Sequence, residues 1–171
     1  MYKRVKYAKP DESLRRSWLA DVFIVSYPKS GRTWFRFMLG RYIAVLDGDR
    51  YSQADYSSNV YKKAKGTPKI AFTHDHSSFN NQCILSASQL PATKKFYSDS
   101  RVLLIVRDPR DVLVSYYMHC TQREAIYQGS FSAFIRDEFF GLQKIVTFLN
   151  YWFHDQHAAN GFMMIKYENM L

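Results

Sequence analysis

Val22-Phe-Ile-Val-Ser-Tyr-Pro-Lys-Ser-Gly-Arg-Thr-Trp34 is the stretch on which the fold turns. Val22 to Val25 are apolar and mostly β-branched, the mark of a short buried strand. Tyr27 to Thr33 supply small residues and a lysine, and Trp34-Phe-Arg-Phe-Met-Leu39 starts a helical pattern. Strand, small-residue loop and helix together build an anion site. The first amides of a helix lack carbonyl partners, and the helix dipole favours negative charge there. Gly31 lets the main chain approach closely, Lys29 adds a cation and Thr33 a hydroxyl. The stretch is not the common nucleotide loop, GxxxxGK[ST], in which lysine follows a second glycine and the next Ser/Thr holds magnesium. Here the lysine precedes Gly31 and no second glycine stands at that spacing, which makes a kinase a poor expectation.

Outward from this loop the chain alternates strands and helices. Phe35, Met38, Leu39, Tyr42, Ile43 and Leu46 recur at helical spacing and predict one apolar helix face ending near Asp47-Gly48. Residues 47–68, rich in Tyr, Ser, Asp and Lys, read as a surface loop, with or without one short helix, and a candidate pocket wall. Asp11 to Arg16 predict a short helix near the start. Pro68 to Thr73 reads as a second strand leading into His74-Asp75-His76, and Ser86 to Pro91 as a turn or short helix. Arg101 to Arg107 reads as a third strand, apolar through its middle as in the centre of a parallel sheet. A long helix follows from Arg110, with Pro109 fitting its first turn. One or two helices cover Phe131 to His157, with Phe134, Ile135, Phe139, Leu142, Ile145, Val146, Leu149 and Trp152 as core candidates. Gly161 to Tyr167 is the last strand. This alternation predicts an α/β, P-loop-like three-layer fold, a central mainly parallel sheet flanked by helices. Ligands in such folds sit at the carboxyl ends of strands, where Lys29, His74, Arg107 and Tyr167 all fall.

The second informative segment is Arg107-Asp-Pro-Arg-Asp-Val-Leu-Val-Ser-Tyr-Tyr117. A guanidinium at a strand end and a hydroxyl on the next helix suit one phosphate; the structural alternative pairs Arg107 with Asp108 or Asp111. Together, Tyr-Pro-Lys-Ser-Gly-x-Thr-Trp and this segment resemble the sulfotransferases that use PAPS (3′-phosphoadenosine 5′-phosphosulfate). The resemblance runs from Asp21 to Leu171. It implies that Lys29, Ser30, Gly31, Arg32, Thr33 and Trp34 form the 5′-phosphosulfate loop, with Arg32 either touching phosphate or facing solvent. It implies that Arg107 and Ser115 bind the 3′-phosphate. Lys166-Tyr-Glu-Asn-Met-Leu171 is similar to a Tyr-Glu-Asp-Leu segment of the family, which sets Tyr167 near the adenine with Trp34. Phe72-Thr73-His74 stands where the family has Lys-Thr-His, implying His74 as the base, with His76 as the alternative and the lysine's cation missing. Histidine near its usual pKa of about 6.5 suits that task.

The resemblance therefore implies transfer of a sulfuryl group from PAPS to a hydroxyl or amine acceptor, giving PAP, with Lys29 and His74 catalytic. It implies a single sulfotransferase-like domain over 1–171, lacking the later Arg-Lys-Gly segment of the family. Length agrees with one domain and a real core. A net charge of +9 points to an anionic partner without choosing among nucleotide, nucleic acid, acidic substrate or membrane surface. The alternatives are a non-catalytic nucleotide-binding remnant, or a basic nucleic-acid-binding module suggested by the Tyr-rich 51–65 stretch. No nucleic-acid motif stands in the chain, so no nucleic-acid partner is expected. The acceptor is expected to be a small molecule, glycan or lipid, and a homo-oligomer is left open. His74-x-His76, His119-Cys120 and His154-x-x-His157 match no zinc spacing well, so no metal is expected. Cys83 and Cys120 read as reduced thiols. With no membrane span and no apolar leader, a cytoplasmic protein is expected.

Overall fold

β1 (Val22–Ser26) forms because four of its five residues are buried at the centre of a sheet, hydrogen-bonded on both sides. The computed structural model describes residues 20–46, 66, 68–78 and 84–170. The predicted Asp11 to Arg16 helix, the 47–65 part of the pocket-wall loop and Cys83 lie outside them. β2 (Ile70–Thr73), β3 (Arg101–Val106) and β4 (Phe162–Lys166) complete a four-stranded sheet in the order β2-β1-β3-β4. All three pairings are parallel, with Val25 opposite Thr73, Ser26 opposite Ile105 and Val106 opposite Lys166. Parallel neighbours require long crossovers, and helices supply them.

α1 (Arg32–Leu46) leaves β1, while α2 (Pro109–Met118), α3 (Phe131–Arg136) and α4 (Leu142–His154) fill the crossover from β3 to β4. Asp108 caps α2 by accepting from the Arg110 amide, with Pro109 at the first helical position; Ser130 caps α3 through the Ala133 amide. On one sheet face, Phe23, Val25, Val102 and Leu104 join Val112, Leu113, Tyr116, Phe134, Ile145, Phe148 and Trp152 in one core. The opposite face carries Ile24 and its register partner Phe72, and the Arg36 guanidinium of α1 lies 4.3 Å from the Phe72 ring centroid. Helices on both faces make three layers.

Two expectations are corrected. α1 buries Gly40, Ile43 and Ala44, whereas Tyr42 and Leu46 are 62% and 66% exposed. The buried line runs i, i+3, i+4 from Gly40, one step round from the aromatic line that spacing suggested. On α4, Leu142 and Val146 are exposed while Ile145, Phe148 and Trp152 face the core. Only the sheet-facing stripe of an amphipathic helix finds partners.

Phe134 is fully buried against Tyr127 (ring centroids 4.9 Å apart), Tyr117, Phe140 and Tyr116. Phe134→Ala should cost about 3–5 kcal/mol through lost transfer energy and a residual cavity. Phe153→Ala, at a half-exposed ring, should stay within roughly 0.5 kcal/mol. Denaturant unfolding of the two variants checks both values; equal midpoints would contradict this core.

Candidate active site

In the order β2-β1-β3-β4 the chain's direction across the sheet reverses between β1 and β3. A crevice opens at such a point beyond the strand ends. Tyr27 anchors the loop after β1, its buried ring edge-on to Tyr116 and Phe148. The loop then turns sharply: the Ser30 amide donates to the Tyr27 carbonyl, and Lys29 and Gly31 take φ of 69° and 90°. Glycine is required at 31 for a second reason. A Cβ there would stand 2.2 Å from Cδ2 of Tyr167, whose ring lies on the glycine.

Around this loop is a cavity of about 750 Å³, lined by Lys29, Gly31, Arg32, Thr33, Trp34, His74, Arg107, Ser115 and Tyr167. The structure thus brings together every site residue expected from sequence except Ser30. That residue is buried behind the lining, so any ligand contact from it falls to the loop backbone. His76, the alternative base, is not in the lining.

Arg107 donates from Nη1 to the Lys29 carbonyl at 3.2 Å, and its guanidinium lies 4.5 Å from the Tyr167 ring centroid. Asp111 stands 3.6 Å from Nη2, a partial version of the ion pair considered from sequence. Asp108 is engaged instead by Arg110. The buried Nε of Arg107 has no partner among the described residues. Trp34, 46% exposed, stacks on Phe37 and donates from Nε1 to the Met170 carbonyl. The Asp108 amide donates to Glu168. The last turn, Tyr167–Met170, is thereby clasped to the starts of α1 and α2.

His74 has a defined tautomer. Nδ1 lies 2.8 Å from the Ser26 carbonyl, which only accepts, so Nδ1 carries the proton and Nε2 is the acceptor. Burial, then the charge of Arg32, push the histidine down to about 3; the Ser26 bond opposes this, and Arg36 and Lys29 add to it. At Phe72, where the resemblance implies a lysine, the Arg36 guanidinium lies over the ring. Lys29 is held below its ordinary range by burial and then by Arg123, with Arg107 contributing. A half-buried lysine among arginines is a site that stabilises anions.

His119, Arg123 and Glu124 also line the cavity although the sequence did not single them out as site residues, and so do Pro28, Phe37 and Ser78. The helix predicted from Arg110 through Tyr117 is α2, which runs to Met118, and His119–Arg123 continue it as one wider π turn. That turn swings its side chains toward Lys29. The available signal was spacing, since His119 stands four residues after Ser115, on the same helical face. Among the described residues no group of three or more His, Cys, Asp or Glu side chains is arranged to hold a metal, and no helix is long and apolar enough to cross a membrane.

Comparison with known proteins bears on the family and the fold. Sulfotransferase 6B1 of chimpanzee is 26% identical over 125 residues, covering 68% of this chain and 38% of that protein. Mouse sulfotransferase 2B1 is 28% identical over 158 residues, covering 88% of this chain and 45% of its own. The chain thus spans less than half the length of these two relatives. The fold is similar to that of retinol dehydratase solved with retinol and PAP, with a TM-score of 0.54 at 15% identity, over 91% of this chain and 59% of that one. A second retinol dehydratase structure, with androsterone and inactive cofactor PAP, gives 0.50 at 16% identity, over 92% and 60% of the two chains. The family model for the sulfotransferase domain matches residues 19–171, and the chain belongs to that family.

Proposed function

We propose that this chain binds PAPS and moves its sulfuryl group to a hydroxyl or amine on a small-molecule, glycan or lipid acceptor, releasing PAP. The observation that carries this is a single cavity lined by the phosphate-type loop, by Arg107 with Ser115, and by His74. The residues suit a bisphosphate: Lys29 feels the charges of Arg123 and Arg107, and a buried guanidinium nitrogen of Arg107 lacks a partner among the described residues. The two retinol dehydratase structures that share the fold hold PAP, which supports the donor by analogy.

PAPS, when bound, supplies an activated sulfuryl group on a 5′-phosphate leaving group. Lys29 and the first amides of α1 stabilise negative charge gathering beside the loop. Arg107 and Ser115 grip the second phosphate, a guanidinium fork and a hydroxyl on one group. Trp34 and Tyr167 offer ring faces to a base, worth about 1–3 kcal/mol when stacked. His74 takes the acceptor's proton at Nε2 while Ser26 holds Nδ1–H.

A second reading, binding without transfer, follows from the place of His74: burial and the charge of Arg32 lower its proton affinity and make it a weak base. Its low proton affinity comes partly from Arg32, Arg36 and Lys29. Anions bound beside those cations offset their charge and raise the histidine toward its working range. Turnover separates the two readings.

Thermal unfolding with PAP, 5′-AMP and ADP tests the site. PAP at 100 times its Kd should add about 2.7 kcal/mol of stability, with the gain lost in Arg107→Ala. No response to any of the three nucleotides would remove the proposal. His74→Ala should keep the PAP response but lose roughly 10²–10⁴-fold in turnover; full turnover in that variant would exclude His74 as base.

The histidine also sets a pH dependence. Its folded pKa is lowered, so below about pH 6.5 the unfolded chain binds the extra proton and the folded one does not. Its contribution is complete above pH 6.5 and falls as pH drops toward 3, by at most about 1.4 kcal/mol per unit. Denaturant unfolding at pH 7.5 and pH 5 should show wild type losing more stability than His74→Gln. Equal losses would show that His74 is charged when folded.

A further inference from the structure

We propose that the buried Asp75–Lys94 ion pair is a positioning device for His74, fixing the turn that aims the imidazole into the cavity. This deepens the proposed function and rests on it for the role of His74. Asp75 directly follows the histidine, and each of its carboxylate oxygens has a partner: Oδ2 takes the Lys94 ammonium at 2.7 Å and Oδ1 accepts from the Tyr97 hydroxyl at 2.8 Å. The Lys94 and Asp75 side chains are only 2% and 4% exposed. Lys94 also donates to the Pro91 carbonyl at 2.8 Å and sits 4.9 Å from the Trp152 ring centroid. Its own amide donates to Asp155 at the end of α4. The pair therefore fastens the β2 loop to the segment before β3 and to the helical layer.

The backbone on either side explains why such a fastening is needed. Asp75 and His76 both have positive φ, 46° and 65°, where residues with a Cβ are sparsely found. The Asp75 amide donates to Thr73 Oγ1, and Ser77 donates to the His74 carbonyl from its amide and its hydroxyl, at 2.9 and 2.6 Å. Two left-handed residues in succession turn the chain back and leave His74 beside the Ser26 carbonyl. A turn that only had to reverse direction is made more simply by glycine or asparagine. Burying two opposite charges does not by itself favour the fold over apolar residues of similar size. Strain and a buried pair meet one residue from the imidazole, and His76, beyond them, is left outside the cavity lining.

Neither Asp75 nor Lys94 lines the cavity, so both act through His74. The test is the double variant Asp75→Asn/Lys94→Met, which removes both charges together and leaves neither stranded. Its fold and PAP binding should survive. Its kcat should fall by about 10- to 100-fold, with a smaller change in acceptor KM, as for a displaced reactive group. The nitrogen NMR signature of His74, with the proton on Nδ1, should be lost or averaged. A folded double variant with wild-type kcat and an unchanged His74 signal would overturn the proposal. Should that variant not fold, Tyr97→Phe removes one hydrogen bond to Asp75 and keeps both charges. It should show a smaller fall in kcat and a shifted His74 signal, and no change in either would count against the proposal. If wild type itself transfers no sulfuryl group, the enzymatic reading fails; the His74 signal, which needs no cofactor, still decides whether the pair positions the ring.

Discussion

Parallel pairing of β1 with β3 is the constraint on which the rest depends. The register that sets Ser26 opposite Ile105 fixes Lys29 three residues beyond the end of one strand and Arg107 one residue beyond the end of its partner. Two cations separated by 78 residues in sequence are thereby held within one hydrogen bond of each other, through the Lys29 carbonyl. Nothing in the loop alone could do this. A slip of one residue would also turn Phe23 and Val25 away from the aromatic helical layer that buries them. Core packing and site geometry are thus specified by the same register, and neither is adjustable without the other.

The cavity runs against the chain's own stability. Lys29 has positive φ without being glycine, a conformation costing roughly 1–3 kcal/mol. It also sits among like charges, and His74 is kept neutral by the same field and by burial. Such local conflicts gather where a ligand is meant to relieve them. Gly31 belongs to the same economy of space: the Tyr167 ring fills the place of a side chain, so the loop and the last turn close on each other. An anion between Lys29, Arg107 and the start of α1 would answer the charge conflict directly, and that makes the anion site more than a matter of motif.

Much of this was legible in the chain, for reasons particular to each element. β1 and β3 are buried on both faces and write continuous apolar runs; the Lys29 loop and the Arg107 to Ser115 segment are each contiguous, so their chemistry can be read in place. What could not be read depends on distant neighbours. Tyr42 and Leu46 have helical spacing, but spacing does not tell which stripe of α1 meets the sheet. The end of α2 is a wider turn that carries His119 and Arg123 to the cavity, and no residue there announces it. The loss of the lysine at position 72 looked like a missing cation because Arg36, on another element, is brought over that ring only by the fold. Tyr167 was expected near a base, yet its packing on Gly31 and the Trp34 bond to Met170 join residues 136 positions apart.

Asp75 and Lys94 mark the same limit in its sharpest form. In sequence they are one acid beside a histidine and one lysine of a basic pair, each fit for a solvated surface. Folded, they are almost wholly buried and pair with one another, with further hydrogen bonds from Tyr97 and to the Pro91 carbonyl. Removing either alone would strand a buried charge, at a cost of about 3–5 kcal/mol, whereas replacing both with apolar residues is often neutral. Stability therefore gives little reason for the pair, and direction gives a better one. An ammonium with two oxygen acceptors and an aromatic face can sit in few orientations, and the carboxylate it holds is covalently adjacent to His74. Apolar packing would tolerate several arrangements of that turn; the ion pair tolerates few, and the imidazole inherits the restriction.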